Sequence, residues 1–224
     1  VGSSQAPPMR HKPAKSRGVR TPMRNAVLWG LLTALAIALV VLGVADMRAT
    51  GRSGSPLLAL GLFPALLSPI VFVHYLITGR VVRDLQNGRS AIARWTVPAE
   101  QFARFCEGDE RIAAESFSPN FYKPPDAVPA GGVEVIFAED GVLIGGGYFP
   151  LSATGGRRVT RVRYLASNPP AIEFGTIMSG LVRTSSATMA ARRTAETLRV
   201  PVATDATVQA ADVVRRFEGI IARR

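Results

Sequence analysis

The sequence predicts a membrane α-helical hairpin of two transmembrane helices, followed by a mainly antiparallel β domain of the α+β class closed by an amphipathic C-terminal helix. Three observations predict it. Two long uncharged apolar runs lie near the N-terminus, short alternating or glycine-punctuated segments follow residue 89, and the last stretch repeats apolar residues at helical spacing. The charge distribution agrees with this division.

The chain of 224 residues carries a formal charge of +11. Residues 1–24 hold Arg10, Lys12, Lys15, Arg17, Arg20 and Arg24 with no acid. From residue 89 onward, 17 basic residues face 14 acidic ones. The excess therefore flanks the apolar runs, as membrane topology requires. A domain this close to neutral, with no recognition motif, excludes nucleic acid as a partner. The single cysteine, Cys106, excludes an intramolecular disulfide framework and a multi-cysteine metal site.

Residues 1–24 combine four prolines with scattered basic groups and have nothing from which to build a core, which predicts a disordered basic tail. Its charge sets topology; docking on acidic lipid or an acidic partner is the alternative.

Asn25 to Ala45 contains no charged residue, and 21 residues at helical rise cover about 30 Å, a bilayer's hydrocarbon core. The first transmembrane helix is placed at 25–46. A buried soluble helix is the competing reading, opposed by a second such run directly afterwards. A signal peptide is another, since G-V-A precedes Asp46, but the apolar core is longer than such a peptide needs. An external loop at 47–55 leads to the second helix at 56–79 and a juxtamembrane linker at 80–88, where Gly88 stops the helix. Basic residues before the first span and after the second place both termini in the cytoplasm.

Gly30, Ala34 and Ala38, and likewise Gly61 and Ala65, recur every four residues, a spacing that lets helix backbones approach. Pro64 and Pro69 interrupt the second span. His74 and Tyr75, followed by Arg80 and Arg83, mark its membrane interface. A proton or ligand role for His74 is the alternative reading.

In the β domain at 89–224, a strand at 90–97 precedes a short helix running from Pro98 through Glu107, with Ala99, Phe102, Phe105 and Cys106 on one face. Residues 116–132 form a loop. V-E-V-I-F-A at 133–138 and G-V-L-I-G-G-G-Y-F-P-L at 141–151 are joined by the hairpin signal E-D-G. The three glycines have no following Lys-Ser/Thr and open no helix, so they mark a bulge or sharp bend and not a phosphate cradle. R-V-T-R-V-R-Y-L at 158–165 alternates strictly, with Val159, Arg161 and Arg163 opposite Thr160, Val162 and Tyr164. Strands follow at 171–177 and 197–202, and 179–194 is either strand or loop.

The C-terminal helix, 205–222, starts at Asp205 as N-cap. Ala210, Val213, Val214, Phe217, Ile220 and Ile221 share one face, which needs a sheet to cover. With its own sheet and covering helix, the domain is expected to fold without the spans.

Two spans, then A-R-W-T-V-P-A-E-Q-F, then V-E-V-I-F-A-E-D-G-V-L-I-G-G-G-Y-F-P-L, then R-V-P-V before the last helix, resemble uncharacterised bacterial inner-membrane proteins with a cytosolic pleckstrin-homology-like domain. The resemblance implies the bacterial cytoplasmic membrane and carries over no catalytic or ligand residue.

Both histidines, His11 and His74, lie outside the β domain, Cys106 has no histidine near it in sequence, and no triad order or paired carboxylates appear. The expectation is therefore not an enzyme: no catalytic, cofactor-binding or metal residue is nominated, and no cofactor. The partners expected are the lipid bilayer and a membrane protein or second copy of the chain, in an interaction or scaffold role. The alternative is a lipid- or small-ligand-sensing domain, with Arg183, Arg192, Arg193 and Arg199 as the candidate contacts.

Overall fold

A computed structural model describes residues 16–116, 120–152, 157–183 and 189–223, with backbone only at 116, 157, 179–183 and 189–193. Residues 19–89 form one unit; the β domain, residues 90–224, forms another together with the chain before residue 19.

The first unit is a pair of helices, α1 (Pro22–Thr50) and α2 (Pro56–Gln86). Both are long and apolar enough to cross a membrane. Each outruns its uncharged core because the terminal signals lie further out. Proline stands in the first turn of both, with its φ already set for a helix. Gly51, left-handed at φ 65°, ends α1. At the other end of α2, Gly88 donates to the Leu85 carbonyl and Arg89 to the Asp84 carbonyl, a Schellman closure around the left-handed Gly88. The connection between the helices is therefore only 51–55, shorter than the predicted loop.

The packing face keeps part of the predicted small-residue set, since Gly61 is buried against α1 and Gly30 faces the Phe72 ring of α2, and departs from the rest. Ala34 and Ala38 are exposed. On α2 the buried residues are Gly61, Ser68, Thr78, Gly79, Val82 and Leu85, of which Gly61, Ser68 and Val82, with half-buried Tyr75, follow a seven-residue step, and α1 answers with Ala26, Thr33, Ala36, Val40 and Gly43. A seven-residue repeat keeps one seam facing its partner along the full length of a helix pair. A Cβ on Gly43 would overlap the backbone nitrogen of Leu58, and one on Gly61 would crowd the Ala36 carbonyl. Halfway along the seam the Thr33 and Ser68 hydroxyls meet at 3.0 Å, each also within reach of its own helix's carbonyl four residues back. Away from the seam the surface is apolar: Leu31, Leu60, Phe63, Leu66 and Ile70 are all about two-thirds exposed.

The second unit contains two antiparallel meanders. One is β1 (Ala93–Val97), β2 (Val133–Phe137), β3 (Gly141–Ile144) and β4 (Gly147–Pro150), paired in that order. The other is β5 (Arg157–Leu165), β6 (Ala171–Arg183) and β7 (Met189–Pro201). Helix α3 (Ala99–Ser116) intervenes between β1 and β2, and a 3₁₀ turn at Thr204–Ala206 leads into α4 (Thr207–Ala222). Phe137, Phe174 and Phe217 stack at the centre, with ring centroids 5.0–6.5 Å apart. They bring together β2, β6 and α4, and all three are fully buried.

Several elements depart from the sequence expectation for local physical reasons. Helix α3 passes through Gly108, which costs about 1 kcal/mol relative to alanine, and continues to Ser116. Asp205 lies inside the 3₁₀ turn and Ala206 takes the cap position, with no side-chain cap bond. Both strands flanking 184–188 extend into the region left open between strand and loop. In β5 the register shifts between Val159 and Arg161, a bulge at Thr160. It turns Val159 and Val162 to the same buried side, so the strict alternation of the sequence does not hold.

The glycine triplet is a hairpin turn. Gly145 and Gly146 take φ of 53° and 79° between paired Ile144 and Gly147, the two positive values that a tight hairpin needs. Gly147 is required for another reason: a Cβ there would overlap the carbonyl oxygen of Arg17. Residues 16–18 form a strap on the β domain. Ser16 forms a parallel bridge with Tyr122, donating to the Phe121 carbonyl at 2.6 Å and accepting from the Lys123 amide at 2.7 Å. Arg17 pairs with Asp126. The predicted disordered tail thus ends in a docked segment, while residues 1–15 lie outside the described residues.

Candidate functional site

The most concentrated chemistry of the β domain is a buried ion network on the face of β5–β7 turned away from the aromatic core. Along β6 the core takes Ile172 and Phe174, so Glu173 points the other way. Its cross-strand partner on β7 is Arg199, between core residues Leu198 and Val200. On β5 the bulge leaves Arg161 and Arg163 on the Glu173 side.

Glu173 is the hub. Its Oε1 accepts from Arg161 Nη2 at 3.0 Å and from Arg163 Nε at 2.8 Å, and its Oε2 accepts from Arg199 Nη1 at 3.3 Å. Arg199 also donates from Nε to Asp109 of α3 at 2.5 Å. An outward-facing sheet surface is ordinarily wet. Here α3 supplies Asp109 and the segment after it supplies Asn120, whose side chain accepts from the Arg199 amide and donates to the Arg199 carbonyl, both at 3.1 Å. Arg199 and Glu173 are 0% and 1% exposed as a result. Arg161 and Arg163 remain half exposed at the rim.

A cavity of about 20 Å³ adjoins the network, bounded by Asp109, Arg199, Ser167 and Asn168. That is room for about one water molecule. A wider surface groove of about 230 Å³ is lined by Ile92, Glu139, Arg216, Ile220 and Arg223.

The nominated residues separate. Arg199 is the correction: its guanidinium is locked inside the domain and is not presented to lipid or a partner. Arg183 lies near the end of β6, and Arg192 and Arg193 lie in β7 opposite Gly180 and Ser179. His74 is exposed on α2, with its ring 5.6 Å from the half-buried ring of Tyr75, and Arg80 and Arg83 are exposed beyond it. Cys106 is half-buried on α3 against the core. Among the described residues, no group of three or more His, Cys, Asp and Glu could hold a metal ion.

Sequence reasoning missed Glu173, Asp109 and Asn120. The one signal was an acid, Glu173, inside the otherwise apolar run A-I-E-F-G-T-I, where a charge in a core strand calls for a buried partner.

Tyr148 is a second polar group held in the interior. Its hydroxyl donates to Asp140 Oδ1 at 3.3 Å, and burial, reinforced by that carboxylate, pushes the phenol well above its ordinary value.

Compared with known proteins, the chain matches no family model, no curated protein and no solved structure.

Proposed function

We propose that the chain is a membrane-anchored, non-enzymatic interaction module, a scaffold or accessory subunit, whose helix pair spans a bacterial cytoplasmic membrane and whose β domain faces the cytoplasm. The observation that carries this reading is the surface of α1 and α2. Apolar side chains as large as Phe63 and Ile70 surround the pair on its outside, while small and hydroxyl residues fill its seam. Water penalises such a surface, and hydrocarbon does not.

The β domain supports the interaction role by its construction. Its charged groups of greatest burial are tied to one another, which gives them a structural use. Meanders of four and three strands with a C-terminal helix also fit a pleckstrin-homology-like domain, with α3 as an added element after β1.

Cysteine labelling from outside the cell tests the topology. With Cys106 replaced by serine, a cysteine at position 50 should react, and cysteines at positions 15 and 130 should not. Reaction at 130 from outside overturns the orientation. A stoichiometric protein partner recovered in mild detergent supports the scaffold role, and a chain that purifies alone at native expression counts against it.

A further inference from the structure

We propose that the paired ends of β6 and β7 form a membrane-docking ribbon that binds an anionic lipid surface. The proposal deepens the membrane-anchored reading and rests on it.

Among the described residues, the last rung that β5 shares with β6 is Arg157 opposite Met178. Beyond it, among the described residues, β6 and β7 pair only with each other through five further pairs, from Ser179 opposite Arg193 to Arg183 opposite Met189. A two-stranded ribbon is marginal in water and gains from a surface to lie on. Its composition selects that surface. From Phe174 to Ala195 the chain contains Arg183, Arg192 and Arg193 and no acidic residue. Arg157 and Arg158 stand on β5 at the same end of the sheet. Leu181, Val182 and Met189 are interspersed with these arginines in the ribbon. A ribbon whose sequence mixes arginine with medium-sized apolar residues and lacks acids suits the phosphates and upper acyl chains of a lipid leaflet. Tethering to membrane-spanning helices keeps the ribbon at high effective concentration to that leaflet.

Arg199, three pairs beyond Glu196 toward the other end of β7, belongs to the interior network and takes no part.

The test uses the full chain in lipid nanodiscs, with Cys106→Ser and an environment-sensitive fluorophore on Val182→Cys. In discs containing phosphatidylglycerol the label should be blue-shifted and shielded from an aqueous quencher. In phosphatidylcholine discs it should not. Three arginines near an anionic leaflet are worth on the order of a hundred-fold in surface population, which the triple substitution R183Q/R192Q/R193Q should abolish. Salt at about 0.5 M, where screening acts within some 4 Å, should weaken the effect as well. Equal shielding in both lipids, or shielding that survives the triple substitution, overturns the proposal. So does an equal shift of a label on Val208→Cys of α4, since the whole domain would then be meeting lipid. A chain that does not co-elute with discs fails the underlying membrane reading instead, which is seen before any fluorescence is read.

Discussion

The carbonyl oxygen of Arg17 occupies the space that a side chain on residue 147 would fill. Two segments 130 residues apart in sequence therefore depend on one missing methyl group. Gly147→Ala should loosen the strap by about 1–3 kcal/mol, the usual cost of overpacking, and raise its open population roughly five- to 150-fold. Limited trypsin digestion should cut after Arg17 correspondingly faster. Gly146→Ala is the control: it strains the turn at φ 79° but has no atom of the strap within contact distance, so cleavage at Arg17 should be little changed.

Arg199→Met should destabilise the β domain by about 3–5 kcal/mol, because it leaves Glu173 and Asp109 buried with less compensating charge. Denaturant unfolding followed by Trp95 fluorescence, with Trp29→Phe to silence the helix pair, measures it. Replacing Glu173 with leucine in the same chain should recover part of the loss. If Arg199→Met alone costs under ~1 kcal/mol, the site is wetter than its burial indicates.

Phe217→Ala removes the α4 ring from the Phe137–Phe174 stack and should cost about 3–5 kcal/mol in the same assay. Val208→Ala, on the exposed side of the same helix, should fall within ~0.5 kcal/mol of the parent.

Tyr148 supplies a pH prediction. Its folded value lies above the unfolded value near 10, so the folded state disfavours the phenolate. The associated stability is complete below the unfolded value and falls as pH rises past it. Stability measured from pH 8 to 11 should fall more steeply for the parent than for Tyr148→Phe. Parallel curves would remove Tyr148 as the cause.

The helix seam predicts a cross-link. Thr33→Cys with Ser68→Cys, in a Cys106→Ser chain carrying a protease site in the 51–55 connection, should form a disulfide that holds the cleaved halves together on a gel. Ala34→Cys with Ser68→Cys should not, because Ala34 faces outward.

The helix pair, the β2–β3 hairpin and the apolar face of α4 were legible because each is encoded by local periodicity. The seam was only half legible. Alanine and glycine are frequent enough in these helices to satisfy four- and seven-residue repeats together, and backbone contact at Gly43 and Gly61 decides between them. The bulge at Thr160 follows from burying Val159 and Val162 while aiming two arginines at Glu173, a demand made by neighbouring strands. Arg199 looked like a surface cation because nothing adjacent in sequence shows that Glu173 and Asp109 will meet it. The strap was invisible for the same reason: basic, proline-bearing sequence has no periodicity, and its partner at 120–123 lies beyond both helices.

That strap has a consequence for how the molecule is made. The β domain is assembled from chain on both sides of the helix pair, and a fragment 89–224 lacks Ser16, Arg17 and Gly18. The strap leaves the ribosome first and waits unpaired until residues 120–148 have been synthesised. For the two to join, the start of α1 and the end of α2 must emerge on the same side of any bilayer they cross. If the helices cross a bilayer, a molecule in which only one inserts would leave strap and sheet in different compartments, with the Gly147 notch empty and Tyr122 without its bridge to Ser16. For a pair that crosses a bilayer, completion of the fold would act as a check on insertion, and failed insertion products should be selectively sensitive to proteolysis.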